Sequence, residues 1–194
     1  MSHIAAAAVK VATVVEVAVE VVAWVVRKYP PAMMDASQVI HSLALAPHPE
    51  GGWYREVYRS PRQVAADGAA RSALTSIYYL LERPQVSRWH IVDADEAWHF
   101  YAGAALALFT YDPAGRSFAR HVLAPPGGAG EPVHVVPAGH WQGARSLGAY
   151  SLVGCSVAPG FEFAGFHFVA ELPGHEAHVA GAPAQLRAQV RALL

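Results

Sequence analysis

Between Trp53 and Leu172 the chain alternates short apolar or half-apolar runs with Gly, Pro and Asp. The runs at 53–59, 73–81, 86–92, 96–101, 104–111, 117–123, 132–136, 149–157 and 161–171 have the length and spacing of strands. Many short strands without interleaved helical stretches predict an all-β sandwich or barrel. Asp112-Pro-Ala-Gly115 has the composition of a hairpin turn, and Pro125-Pro-Gly-Gly-Ala-Gly130 that of a flexible connection. Helical signals lie at the flanks. Asp35 precedes Ala-Ser-Gln-Val-Ile-His-Ser-Leu as a cap before a short helix. After Pro183 the run Ala184–Leu194 has the period of a helix, with Leu186, Val190 and Leu193 or Leu194 facing inward. The expected organisation is an extension over 1–34, a β domain over 35–175, and a tail with a short helix over 176–194.

The extension changes this picture little. Ala5 to Val26 is nearly all Ala and Val and is long enough to span a bilayer, but Glu16 and Glu20 lie near its middle. Each carboxylate there costs roughly 2.5–3.5 kcal/mol even on a lenient insertion scale, so a membrane span is disfavoured. Lys10, Thr13, Glu16 and Glu20 fit one stripe of an amphipathic helix, although Val or Thr at alternate positions from 9 to 21 also fits a strand. The internal acids and the lack of a clear cleavage site argue against a signal peptide.

With 194 residues, 54% of them hydrophobic and 15% charged, the chain suits one packed domain. A net charge of -1 with scattered Lys and Arg excludes the basic surface that gathers nucleic acid or anionic lipid. Cys155 has no partner for an internal disulfide and sits in an apolar run, which points to a buried thiol and a reducing cytoplasm.

Candidate chemistry concentrates in His90-Ile-Val-Asp-Ala-Asp-Glu96-Ala-Trp98-His99-Phe-Tyr-Ala-Gly103 and in Val136-Pro-Ala-Gly139-His-Trp-Gln142. Inward positions recur every second residue of a strand, so side chains from neighbouring strands can meet inside a barrel. His90 is the candidate base, acid or ligand, because imidazole titrates near neutrality. Glu96 in such an interior needs a partner, water or a proton. Arg88, two residues from His90, is the candidate to pair with it or to hold an anionic ligand. Alternation from Glu96 puts Trp98 and Phe100 on its face, making Trp98 a pocket wall, and His99 and Tyr101 on the other face. His99 is therefore ambiguous between the site, the second sheet and a dimer contact. Glu162, in an aromatic setting, is a further candidate for ligand contact. His48, Glu50, Gly51 and Gly52 precede the first barrel strand, where the glycines suit a turn or bulge. His3, His41, His121, His134, His140, His175 and His178 read as surface or loop residues, and Tyr54 and Tyr58 as residues of a dimer surface.

The two segments resemble the first and second cupin motifs. His90, Glu96 and Gly103 match the first, with Val92 in place of its second histidine; Gln142 stands where the second has histidine. Pro47-His-Pro-Glu-Gly-Gly-Trp-Tyr-Arg-Glu56, Thr75-Ser-Ile-Tyr-Tyr-Leu-Leu81, Ser87-Arg-Trp-His90, Asp95-Glu-Ala-Trp-His-Phe-Tyr101, Pro137-Ala-Gly-His-Trp-Gln142 and Val157-Ala-Pro-Gly-Phe-Glu-Phe163 together resemble the cupin-5 family, once called DUF985, over about residues 36 to 172. The chain departs from that family at Gly165-Phe-His167, where Asp-Phe-Glu is usual. The resemblance implies a double-stranded β-helix, a jelly-roll barrel with short flanking helices, usually a homodimer, with a pocket inside and relatives among sugar-nucleotide epimerases of the RmlC type.

Three functions follow as expectations. One is a small polar, perhaps sugar-like, ligand handled by an isomerase or epimerase with His90 as general base and Glu96 as its partner. Another is a cupin in which His90, Glu96 and Gln142 hold a divalent Mn, Fe, Ni or Zn ion for oxygenase or hydrolase chemistry. The third is a non-catalytic small-ligand-binding module. In each the partners are a small molecule and a second copy of the chain, with no nucleic acid and no membrane.

Overall fold

The computed structural model describes residues 34–66 and 68–194. The expectations for the extension lie outside these residues, apart from Met34. Among the described residues, no helix is long and apolar enough to cross a membrane.

The domain opens with α1 (Ala36–Ser42), whose N-cap Asp35 accepts from the Gln38 backbone while the Gln38 side chain accepts from the Asp35 backbone. That reciprocal box satisfies two amides of the first turn. Thirteen strands follow: β1 (Ala46–Pro47), β2 (Trp53–Arg59), β3 (Gln63–Ala66), β4 (Ala69–Ser72), β5 (Thr75–Glu82), β6 (Val86–Val92), β7 (Asp95–Gly103), β8 (Leu106–Asp112), β9 (Ser117–Leu123), β10 (Val133–Val136), β11 (Trp141–Ser146), β12 (Tyr150–Ala158) and β13 (Phe166–Phe168). The chain then turns into α2 (His175–Ala180) and α3 (Ala184–Arg191).

The strands form a six-stranded sheet in the order β1-β2-β5-β12-β7-β10, a five-stranded sheet in the order β13-β6-β11-β8-β9, and the hairpin β3-β4. The named strand pairings are antiparallel. A shared core of Tyr79, Leu81, Trp98, Leu106, Leu108, Leu123, Val136, Ala144, Val153 and Cys155 draws on both large sheets. The double-stranded β-helix of a cupin is the fold.

Alternation explains a second layer. In β8 nearly every side chain is buried, because Leu106 and Leu108 face the shared core while Ala107, Phe109 and Tyr111 face outward under the C-terminal segment. That segment supplies Val169, Val179, Ala182, Val190 and Leu193. Trp89 fastens it, its indole N–H donating to Val190 O at 2.7 Å and its backbone N–H to Leu193 O at 2.8 Å. The terminal helix therefore forms where its pattern predicted, with Leu193 inside and Leu194 exposed.

The run at 161–171 is not a strand throughout. Only Phe166–Phe168 pairs with β6, and single turns of 3-10 helix flank it at Phe163–Gly165 and Val169–Glu171. Alternating aromatics gave the strand-like period, but only Phe166 and Phe168 extend the five-stranded sheet, while Phe161 packs with Phe166 against Val92, Ala94 and Val157. The departure Gly165 has a local cause: a Cβ there would run into the Asp93 carboxylate, which is paired with Arg71 at 2.7 Å.

Candidate functional site

The site begins with a tight turn. Between β1 and β2, His48 and Gly52 are joined by His48 N–H to Gly52 O at 3.0 Å, and Gly51 N–H returns to His48 O at 3.0 Å. Gly51 has φ +113°, and a Cβ on it would strike the Val86 carbonyl, so the turn packs against β6 only as glycine. The turn is pinned further by Arg88 N–H to Glu50 O at 3.0 Å and by the Tyr79 hydroxyl to Gly51 O at 2.8 Å. Its effect is to push the His48 and Glu50 side chains into the barrel, both of them lining its pocket.

That pocket has a volume of about 150 Å³. Imidazoles and carboxylates of His48, Glu50, His90 and Glu96 supply its polar wall, and Ile77, Val92, Val157 and Cys155 its apolar one. Phe161, Phe163 and Phe166 form an aromatic lip, with Phe166 stacked on the His90 ring at 5.1 Å and 25°. Arg59 clamps the rim, donating to Glu56 at 2.9 and 3.1 Å, to Glu162 at 2.8 Å and to Phe161 O at 3.2 Å.

Hydrogen bonds fix the tautomers. His90 Nδ1 lies 2.7 Å from the Arg88 carbonyl and 3.3 Å from Glu50 Oε2. A carbonyl only accepts, so Nδ1 carries the proton and Nε2 is the acceptor of the neutral ring. His48 is the converse: its Nδ1 accepts from Glu50 N–H at 3.3 Å, which puts the neutral ring's proton on Nε2. Burial holds His48 below the usual histidine range, with Glu50 opposing and His90 reinforcing the shift. Glu50 itself is anchored by the Ser87 hydroxyl on Oε1 at 3.0 Å.

Glu96 is held from behind. Trp98 Nε1–H donates to Gln142 Oε1 at 2.9 Å, and because an indole N–H can only donate, the Gln142 oxygen must face Trp98. The amide nitrogen then faces Glu96 and donates to Oε2 at 2.6 Å. Burial raises the Glu96 carboxyl above its ordinary value; His90 opposes that rise, and Glu50 adds to it. Burial likewise lifts the Cys155 thiol well above its usual range, an inert setting for a thiol.

Of the residues singled out in the sequence, His90, Glu96 and Glu162 line the pocket. Trp98 and Gln142 form the layer behind Glu96, both almost wholly buried. Arg88 lies elsewhere. In the pairing of β6 with β11, Gln142 faces His90 and Ala144 faces Ser87, so β6 carries one extra residue between them. This bulge puts Ser87 inside and turns Arg88 out, where it donates to Pro49 O at 2.8 Å and lies 4.1 Å from the Phe168 ring centre. His99 is also outside the pocket, paired with Gly154 and Val133 on the outer face of the six-stranded sheet. Tyr54, read as a surface residue, lines the pocket instead.

The donor set His90, Glu96 and Gln142 does not fit a three-ligand metal centre. The Gln142 oxygen is turned to Trp98, its nitrogen offers no lone pair, and Val92 contributes no donor atom.

His48 and Glu50 were missed as site residues, because their neighbouring glycines were read as a turn and the turn was given no further role. The histidines read as surface or loop residues also need correction. His178 packs against Tyr111 and Trp141, and its Nδ1 lies 2.6 Å from the Tyr111 hydroxyl. His121 and His134 sit in strands and stack on each other.

The architecture and the sequence agree on a family. The cupin superfamily family DUF985 matches residues 37–169. This chain belongs to it. A protein of Shewanella oneidensis is 38% identical, with 83% of this chain and 98% of that one aligned and a TM-score of 0.69. A hypothetical protein from Leishmania major is 32% identical, over 75% of this chain and 96% of that one, with a TM-score of 0.66. No curated protein matches the chain. This cupin thus shares its fold and most of its length with both of these solved relatives.

Proposed function

We propose that this cupin binds a small, polar, uncharged or cationic molecule rich in hydroxyl groups and moves a proton on it, as an isomerase or epimerase does. The observation that carries the reading is the pairing, inside one pocket, of a histidine whose Nε2 accepts with a carboxyl group that burial keeps protonated to higher pH. Proton removal beside a carbonyl and its return elsewhere need such a base and such an acid. In this reading His90 takes the proton, Glu50 steadies the resulting imidazolium, and Glu96 delivers or exchanges a proton on the ligand.

The pocket's charge narrows the ligand. Glu50, Glu56, Glu96 and Glu162 line it, and Arg59, the one guanidinium among the lining residues, is committed to Glu56 and Glu162. A phosphate or carboxylate group would find no uncommitted guanidinium there, whereas hydroxyls or an amine would find acceptors throughout.

The test is solvent deuterium exchange followed by NMR with a panel of aldoses, ketoses and amino sugars. Exchange at a carbon next to the carbonyl is expected for at least one class. It should fall by about 100-fold or more in His90→Gln and Glu96→Gln, the usual scale for a lost general acid or base. Exchange undiminished in His90→Gln would remove the histidine from the mechanism. Ligand binding without any exchange would make the barrel a binding module.

A second copy of the chain is the proposed partner for the outer face of the six-stranded sheet. Tyr58, Tyr101, Val133 and Val135 are exposed there, beyond the scattered apolar residues a surface ordinarily shows. Light scattering of the full chain and of Tyr101→Glu tests this; a monomeric wild type overturns it.

A further inference from the structure

We infer that His121, Glu131 and His134 form a binding site for a divalent transition metal ion of the zinc class at the seam between the two sheets. The site is separate from the pocket and uses none of its residues.

The seam is where the sheets' edge strands meet. β9 ends the five-stranded sheet and β10 ends the six-stranded one, and the connection between them returns along β9. Ala124 N–H donates to Glu131 O at 3.0 Å, and Glu131 N–H donates to Val122 O at 2.9 Å. Gly130 permits this approach, since a Cβ there would meet the Val122 carbonyl. Glu131 is thereby fixed beside β9 just before the chain enters β10.

Strand register then delivers the two imidazoles. His121 lies opposite Leu108 and His134 opposite Trp98, and both of those partners belong to the shared core. The histidines therefore point into the gap between the sheets, one from each edge, and their rings stack with centres 3.6 Å apart and planes at 27°. Glu131 Oε1 lies 2.8 Å from His134 Nδ1, and the Thr110 hydroxyl lies 3.1 Å from His121 Nε2.

One donor atom from each of the three residues lies within 4.8 Å of the other two. Donors of a tetrahedral site with ~2.0–2.1 Å bonds stand ~3.3 Å apart, so the side chains must reorient, the two stacked rings splaying apart, to close the set around one ion. Two imidazole nitrogens and one carboxylate oxygen suit zinc, cobalt or nickel, while calcium and magnesium prefer oxygen throughout. Glu131 is exposed and both histidines are half-buried, so an ion can enter from solvent and keep a water as its fourth ligand. Bound there, it would tie the two sheet edges together.

The experiment is titration of the full chain with cobalt(II), followed by its visible absorption and then by displacement with zinc, alongside calorimetry with zinc alone. One equivalent is expected for wild type, and the same for the pocket variant His90→Gln. His121→Gln and His134→Ala should each weaken binding by at least about 100-fold, the upper range for disturbing even the groups that support a metal ligand. Glu131→Gln, on an exposed side chain outside the core, should weaken it by about tenfold. The inference fails if wild type binds no zinc, if binding disappears in His90→Gln, or if Glu131→Gln and the two histidine variants bind as wild type does. Should both histidine variants unfold, Glu131→Gln decides.

Discussion

Glu50 Oε2 lies 3.3 Å from His90 Nδ1, although one residue belongs to a turn before the second strand and the other to the sixth. The same carboxylate oxygen is 3.8 Å from His48 Nδ1, so one acid faces both imidazoles of the pocket. Removing its charge isolates that influence. In Glu50→Gln, His48 loses the group that raises its proton affinity and keeps the burial that lowers it, so it should titrate at lower pH than in wild type. Histidine NMR titration reads this directly, and a His48 midpoint that stays or climbs would contradict the arrangement.

The Glu96 carboxyl gives a stability signature. Burial raises its folded-state value above 4.5. The folded protein therefore binds more protons than the unfolded one as pH passes through that interval. Stability from neutral Glu96 is present below it and is lost as pH rises through the folded value. Glu96→Gln imitates the neutral form, so its stability relative to wild type should improve as pH climbs from acid to neutral. Urea midpoints across pH test the slope; a relative loss on going to neutral pH is the contrary result.

Gln142 holds two buried groups at once. Gln142→Leu would leave the Trp98 N–H and Glu96 Oε2 without their partner, at about 1–3 kcal/mol for each stranded group. A chemical denaturation difference below about 0.5 kcal/mol would show that the amide bridge is dispensable.

Leu193 is fully buried against the outside of the five-stranded sheet. Leu193→Ala should cost about 2–5 kcal/mol, the range for emptying such a position. By contrast Arg59→Ala, whose partners are water-exposed, should cost less than about 1 kcal/mol. Thermal or urea unfolding that reverses this ranking would mean the helical tail is loosely attached.

Much of the barrel could be read from the chain because its faces repeat every second residue. That period placed Glu96 and Trp98 together and put His99 on the other face, while the resemblance to the second cupin motif, not the period, brought Gln142 indoors. It failed where one extra residue entered β6, which a count along the sequence cannot detect, and so Arg88 was turned to the wrong side. The hairpin of β3 and β4 went unread because Gln63 to Ser72 has little apolar contrast. His48 and Glu50 needed the contact of their turn with Val86 and Arg88, a relation between distant segments. The glycines Gly51 and Gly52 were the available signal, since two adjacent residues freed from a Cβ announce that something packs close. His121 and His134 come from different sheets, and nothing in their spacing shows that those sheets end side by side.

The Arg59 clamp has a bearing on traffic. It joins β2 to the chain that follows β12 through ion pairs that water reaches. Attractions of that sort fade as dissolved salt shortens their range. The barrel's doorway is thus fastened by charge while its floor is built of buried hydrogen bonds, so ionic strength should change how fast the proposed ligand comes and goes without altering how the chemical groups below are arrayed.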